Sequence, residues 1–312
     1  MGRLLFVYNP NAGKGQARRN LSVMLEALGE KQYEMVVFPT RGQGDAARKV
    51  QEEASDYELL VCSGGDGTLN EAVDGLMRLK EEGKPVPVLG YIPAGTVNDF
   101  AASLKIPKIP EEAIQVILDG VSFAPDFGSL HDGNQEKLVG HFAYIAGFGA
   151  FTEVSYETPQ NMKNVLGRAA YFLEGVKRLT DIRPYSVRVM YGEETIEGEF
   201  LYGMVTNTKS VGGFKGLTGP EVCLDDGKFD VILIRHPSNA IELQNIINSL
   251  LTRELNHTSN IFYFHTERVV FESKENIPWV LDGESGGVHH RVTIYNHQRA
   301  LQIMVPGEEA AR

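Results

Sequence analysis

Apolar positions follow two different patterns along the chain. Before about residue 120, Leu4–Tyr8, Met35–Phe38, Leu59–Cys62 and Val88–Ile92 are short unbroken apolar runs rich in β-branched residues. Between them the period lengthens: Leu21, Met24, Leu25 and Leu28 share one face of a helix. The spacing predicts helices over about Ala17–Leu28, Ala46–Ala54 and Leu69–Lys80. Unbroken apolar strands alternating with helices imply a Rossmann-like α/β domain, its parallel sheet buried on both faces. In such sheets ligands bind beyond the carboxyl ends of the strands. After about Asp126 alternating strands take over. Val187–Tyr191, a turn over Gly192–Thr195, and Glu197–Val205 predict a hairpin. Phe229–Ile234, Ile261–Phe264, Val269–Phe271, Val292–Tyr295 and Leu301–Val305 continue the pattern, and helical stretches at about Met162–Asp181 and Ala240–Leu251 interrupt it. The second half is expected to be mostly antiparallel.

Composition narrows the function. With 312 residues the chain has room for two domains. No apolar run approaches the ~20 residues of a membrane span. A formal charge of −11 argues against nucleic acid as a partner and disfavours an anionic membrane on average. Cys62 ends an apolar strand, so Cys62 and Cys223 are expected as reduced thiols of a cytoplasmic protein. The segment from Met1 enters a strand at once, without signal-peptide features. Glycine is in excess, at 33 residues, and it clusters where predicted strands end.

Those clusters carry the candidate chemistry. Ser63–Ala72 reads SGGDGTLNEA at a strand-to-helix junction. Glycines let backbone N–H groups approach a phosphate, and the helix start favours an anion. Asp66 is misplaced in such a loop unless a cation such as Mg²⁺ offsets its charge. NPNAGKG (Asn9–Gly15) ends the first strand, with Lys14, Arg18 and Arg19 adding positive charge at the same rim. It is not a Walker A loop. PAGTVNDF (Pro93–Phe100) ends the fourth strand and offers Gly95, Thr96 and Asn98, while Asp99 could instead cap a helix. In TRGQGDA (Thr40–Ala46), Thr40 is expected to flank the nucleotide. Three glycine-bearing loops ending strands of one sheet point to a shared nucleotide site. In the second half, WVLDGESGG places Asp282 and Glu284 around a glycine, and VCLDDGKFDV places Asp225-Asp226-Gly227 in a turn that could also ligate a hard cation. The eight histidines show no ligand spacing, and H-E-x-x-H, C-x-x-C and G-x-S-x-G are absent.

Taken in order, NPNAGKG, GGDGT, PAGTVNDF and LDGE resemble the diacylglycerol kinase catalytic domain family, and the length and layout are similar to its soluble bacterial members. NAD kinases and 6-phosphofructokinases share GGDGT-like loops, but the Ser-Thr-Ala-Tyr segment of NAD kinases is missing. The resemblance implies a nucleotide-binding domain of the NAD kinase/phosphofructokinase type over residues 1–127, to which 298–312 can return, and a β-sandwich lipid-substrate domain over 128–297. It implies ATP in the cleft between them. Motif and resemblance together assign Asn9, Pro10, Asn11, Ala12, Gly13, Lys14, Thr40, Gly64, Gly65, Asp66, Gly67, Thr68, Leu69, Asn70, Glu71, Thr96 and Asn98 to the nucleotide. Asp66, Asp282 and Glu284 are the expected catalytic residues. Glu284 is the favoured proton acceptor and Asp282 the organiser of metal and water, with the opposite assignment open. A structural Mg²⁺ is implied at Asp226 with the backbone carbonyls of Cys223 and Lys228. Asp66, Asp99, Asp126, Asp226 and Asp282 would then form one acidic network.

The expected reaction is phosphoryl transfer from ATP to a lipid alcohol, diacylglycerol first. A soluble-metabolite kinase and a non-catalytic nucleotide- or lipid-binding regulator are the alternatives. Pro159–Leu179 mixes Lys163, Arg168, Lys177 and Arg178 with apolar residues, a pattern open to peripheral membrane docking or to ordinary core packing. A homodimer is compatible with the sequence.

Overall fold

A computed structural model describes residues 2–31, 33–149, 183–211, 214–215, 222–252, 254–255 and 258–307. The helix expected over Met162–Asp181, and the Pro159–Leu179 stretch with it, lies outside the described residues.

The four unbroken apolar runs form parallel strands β1 (Arg3–Tyr8), β2 (Glu34–Pro39), β3 (Leu59–Gly64) and β4 (Val88–Pro93), in the order β2-β1-β3-β4. Leu4, Leu5, Phe6 and Val7 are buried because β1 is paired on both edges and covered on both faces. Helices α1 (Ala12–Arg19), α2 (Leu21–Gly29), α3 (Asp45–Glu53), α4 (Asp66–Glu81), α5 (Asp99–Ser103) and α6 (Pro110–Asp119) connect them, and β5 (Val121–Phe123) follows. The single helix expected over Ala17–Leu28 is instead two. Asn20 leaves helical geometry between α1 and α2, as a short polar side chain that competes with the backbone readily does.

The second sheet contains β6 (Phe127–Asp132), β7 (Lys137–Phe142), β8 (Ile145–Gly149), β9 (Tyr185–Tyr191), β10 (Glu194–Thr206), β13 (Phe229–Arg235), β14 (Ile261–Thr266), β15 (Arg268–Leu281) and β16 (Glu284–His297). Two short strands, β11 (Ser210–Val211) and β12 (Phe214–Lys215), pair separately, and α7 (Ala240–Thr252) precedes β14. The pairing is antiparallel and the sheet folds over as a sandwich. Strand β10 pairs with β9 through Glu194–Phe200 and with β8 through Tyr202–Thr206, with a register shift between the two segments. Strand β15 does the same, with irregularities between Glu272 and Ile277 and around Pro278, which has no N–H to give to a ladder. Long strands bent in this way serve both layers. Between the layers Phe148 packs on Trp279 and Phe271, with centroids 5.1 and 5.8 Å away. The β9–β10 turn is shorter than expected, because Glu194 and Thr195 already belong to the ladder and Gly192 turns the chain with a φ of 52°.

One strand changes sheets. Leu301–Val305 does not continue the antiparallel pattern. Strand β17 (Ile303–Val305) enters the first sheet between β4, to which it is parallel, and β5, to which it is antiparallel. Ile303 and Val305 are fully buried there, and the Leu89 N–H bonds to the Gln302 carbonyl at 2.8 Å. Burial in the helix-covered sheet thus overrides the local period. Ile303→Ala should lower stability by about 2–4 kcal/mol, read by urea unfolding. A change within measurement error would mean that β17 does not support this sheet.

Candidate active site

The loops after β1, β3 and β4 meet through their glycines. A Cβ added to Gly13, whose φ is +58°, would fall 2.5 Å from the Ala94 carbonyl, and one on Gly95 would fall 2.6 Å from the Gly65 Cα. Only residues without Cβ allow this approach. Backbone bonds from Asn9 to Ser63 and from Ala94 to Gly64, 2.9 and 2.8 Å, fix the strand ends that carry the loops. Buried Asn98, with a left-handed φ of 58°, closes the third loop with two bonds to Gly95.

A cleft of about 440 Å³ opens where the loops converge. Asn9, Asn11, Ala12, Gly13, Thr40, Gly65, Gly67, Thr68, Glu71, Thr96 and Glu284 line it, as do Arg41, Gly42, Gln43 and Gly95. Other expected nucleotide contacts do not. Leu69 is in the core, Gly64 packs under Thr68, and Asn70 and Asn98 hold other site residues in place. Pro10 and Asp66 are outside the lining. Lys14 is exposed and away from the cleft, because Gly13, Lys14 and Gly15 turn the chain through left-handed geometry before the regular part of α1. Arg41 and Gln43 were not anticipated. The only signal for them was their place beside Thr40.

The two carboxylates of the LDGE turn have different situations. Asp282 is buried at φ 49°. Its Oδ1 accepts the N–H groups of Tyr144 and Ile145, each at 3.0 Å, and its Oδ2 accepts Ala143 N–H at 2.5 Å and Asn70 Nδ2 at 2.8 Å. Burial nonetheless pushes its carboxyl up to about 6, while these donors pull the other way. Four donors occupy the oxygens expected to organise metal and water, so Asp282 ties α4 to the start of β8. Glu284 is solvent-exposed in the cleft wall. A Cβ on Gly67 would lie 2.8 Å from its Oε1. Partial desolvation of its carboxyl in the wall, together with the charge of Glu71, raises its pKa.

Asp66 opens α4. Its Oδ2 accepts Asn98 N–H at 2.9 Å, whereas Oδ1 is buried with no hydrogen-bond partner among the described residues. Burial, with the charges of Asp99 and Asp282, pushes this carboxyl up to about 7. The single acidic network expected from the sequence is two groups. Asp66, Asp99 and Asp282 surround Tyr144. Asp126 instead holds the Asp225–Lys228 turn, accepting Gly227 N–H at 2.6 Å and Arg299 N–H at 2.9 Å. Asn207 links the groups, donating its N–H to the Tyr144 carbonyl and its side-chain amide to the Asp126 carbonyl. Asp226 Oδ1 accepts Lys228 N–H at 2.9 Å, an Asx turn, and Cys223 is exposed. Among the described residues no group of three or more His, Cys, Asp or Glu side chains converges to hold a metal.

A further contact was invisible to spacing. The His141 side chain on β7 is fully buried between Asp74 and Glu81 of α4, at 2.8 and 3.1 Å, and joins the two domains beside Asn70.

The raised carboxyl of Asp66 has a consequence for stability. Its folded form binds a proton more tightly than the unfolded chain does. The stability this provides is complete below about pH 4 and is lost as pH rises through about 7. In metal-free buffer Asp66→Asn should therefore raise Tm more at about pH 8 than at about pH 5. Equal shifts at both pH values would contradict this reading of the site.

Comparison with known proteins agrees with the geometry. The model of the diacylglycerol kinase catalytic domain matches residues 3–130, and that of the YegS C-terminal NAD kinase beta sandwich-like domain matches 145–307. A diacylglycerol kinase of Bacillus subtilis (strain 168) is 34% identical over 314 residues, spanning 99% of this chain and 98% of its own. One from Staphylococcus carnosus (strain TM300) is 35% identical, spanning 91% and 89%. The crystal structure of a candidate diacylglycerol kinase from Bacillus anthracis strain Sterne aligns with a TM-score of 0.79 at 26% identity, over 97% of this chain and 95% of that one. Glycine loops on a parallel sheet, a β-sandwich carrying the LDGE turn, and full-length relatives of one kind lead to the same place: the chain belongs to the diacylglycerol kinase family and is a phosphotransferase with an alcohol acceptor.

Proposed function

We propose that the protein transfers the γ-phosphoryl group of ATP to a lipid hydroxyl, converting diacylglycerol to phosphatidic acid. The observation that carries this reading is Glu284, the second-domain carboxylate in the lining of a cleft otherwise built from the strand-end loops. Its raised pKa brings it toward the range of a useful general base at neutral pH. Asp282 is the positioning residue, since its oxygens are committed to holding the turn. The acceptor oxygen attacks the γ-phosphorus, the bond to the β–γ bridging oxygen breaks, and ADP leaves. Glu284 takes the hydroxyl proton. The N–H groups at the start of α4 orient the phosphates, and positioning accounts for most of the rate.

The unpartnered buried oxygen of Asp66 fits a divalent cation; Asp66 would hold Mg²⁺, which when bound supplies positive charge to the phosphates. Asp226, with the carbonyls of Cys223 and Lys228, is proposed for the structural Mg²⁺. In support, burial raises the Asp126 and Asp230 carboxyls and the charge of Asp226 adds to both, so like charges gather at this turn. The acceptor would be reached by peripheral contact with a membrane. Among the described residues no helix is long and apolar enough to cross one.

Glu284→Gln should lower kcat by about 10²-fold or more, with the KM for ATP within about twofold. Unchanged turnover would remove Glu284 from the base role. Gly67→Ala, which crowds Glu284, should reduce kcat in the same direction with a smaller effect on folding. The acceptor is identified by offering Mg²⁺-ATP with diacylglycerol, other lipid alcohols and soluble alcohols, and weighing the products by mass spectrometry. Phosphorylation of soluble alcohols alone would overturn the lipid assignment.

A further inference from the structure

Of the three charged residues in the lining of this cleft, two are acidic. Glu71 and Glu284 line it, and Asp66 stands at the start of the helix behind it. Among the described residues Arg41 is the one cationic side chain in the lining. The basic residues expected at the rim do not substitute for it: Lys14, Arg18 and Arg19 are all outside the lining, and Arg19 donates to the Lys14 carbonyl at 3.1 Å.

The loop that carries Arg41 is held in place from both ends. The Glu71 carboxylate accepts Gly44 N–H at 2.7 Å and Ala46 N–H at 3.0 Å, and Asp45 Oδ2 accepts Arg41 N–H at 2.8 Å. These bonds seat the Thr40–Ala46 loop against the first turns of α4, the same helix whose N-terminus faces the cleft. They also occupy N–H groups at the start of α3, so that helix end is closed to an anion. The Arg41 guanidinium makes no ion pair among the described residues, while its backbone is fixed. With the backbone already fixed, only side-chain freedom is lost when the guanidinium meets a ligand of high negative charge, and a guanidinium matches phosphate oxygens in pairs.

We propose that Arg41 binds the polyphosphate of the nucleotide and sets the affinity of the enzyme for it. This rests on the kinase reading of the cleft and adds a binding residue to it. Arg41→Gln is the informative variant, because the loop bond uses the backbone N–H and survives the change. Its KM for Mg²⁺-ATP should rise about tenfold, with kcat and the acceptor KM within about twofold, and Arg41→Lys should recover part of the loss. Calorimetry on the full chain without lipid separates the causes. Affinity for ATP and ADP should fall about tenfold in Arg41→Gln, with affinity for adenosine unchanged. An equal loss for adenosine would assign Arg41 to the base or to loop integrity and overturn the proposal, as would unchanged affinity for ATP. A wild-type protein that binds ATP but phosphorylates no alcohol would defeat the kinase reading and leave the calorimetric comparison to decide Arg41 alone.

Discussion

The buried carboxylate of Asp282 is the junction on which the arrangement turns. An unpaired buried charge costs several kcal/mol, so its oxygens require donors. They take three backbone N–H groups from the β7–β8 connection and one side-chain amide from α4. One group therefore fixes the LDGE turn, the entry to β8 and the helix that begins with Asp66. His141 and its two acidic partners add a second tie along the same helix. Together they set where Glu284 meets Gly67. A motif that reads as a pair of catalytic acids divides its labour: one acid builds the wall and the other remains available in it.

Much of this was legible in the sequence, for identifiable reasons. The parallel strands were visible because burial on both faces demands unbroken apolar runs, and the glycine loops because backbone-to-backbone approach at Gly13 and Gly95 admits nothing larger. The split of α1 from α2 was not, since apolar spacing records the buried face and says little about a one-residue break at Asn20. Alternation grouped β17 with the second half because three residues are too few to show a period; only the family resemblance allowed 298–312 to join the first domain, where its pairing with β4 and β5 places it. Lys14 and Arg41 show the same limit at the site. Both are basic residues in strand-end loops, and only the backbone path decides which reaches the cleft. The roles of Asp282 and His141 depend on contacts between residues far apart in the chain, which no local pattern encodes.

The strongly negative net charge takes on a local meaning. Asp66, Asp99 and Asp282 cluster at the domain junction, and Asp126, Asp226 and Asp230 at the turn beyond it. Each group places like charges in partly buried surroundings, where repulsion is screened less than at the surface. Such clusters cost stability in the metal-free chain. A cation or a proton relieves that cost, which couples the firmness of the junction to what occupies it.

The placement of β17 bears on how the chain comes to be folded at all. Strands β1 to β4 emerge from the ribosome early, yet the neighbour that completes the β4 edge is encoded long after them. Until it arrives, β4 presents open backbone groups beside a formed apolar layer, the kind of edge that recruits wrong partners. The intervening sandwich must then be made while that edge waits. The first domain is thus begun before the sandwich and completed after it, so the seating of β17 waits on the segment between.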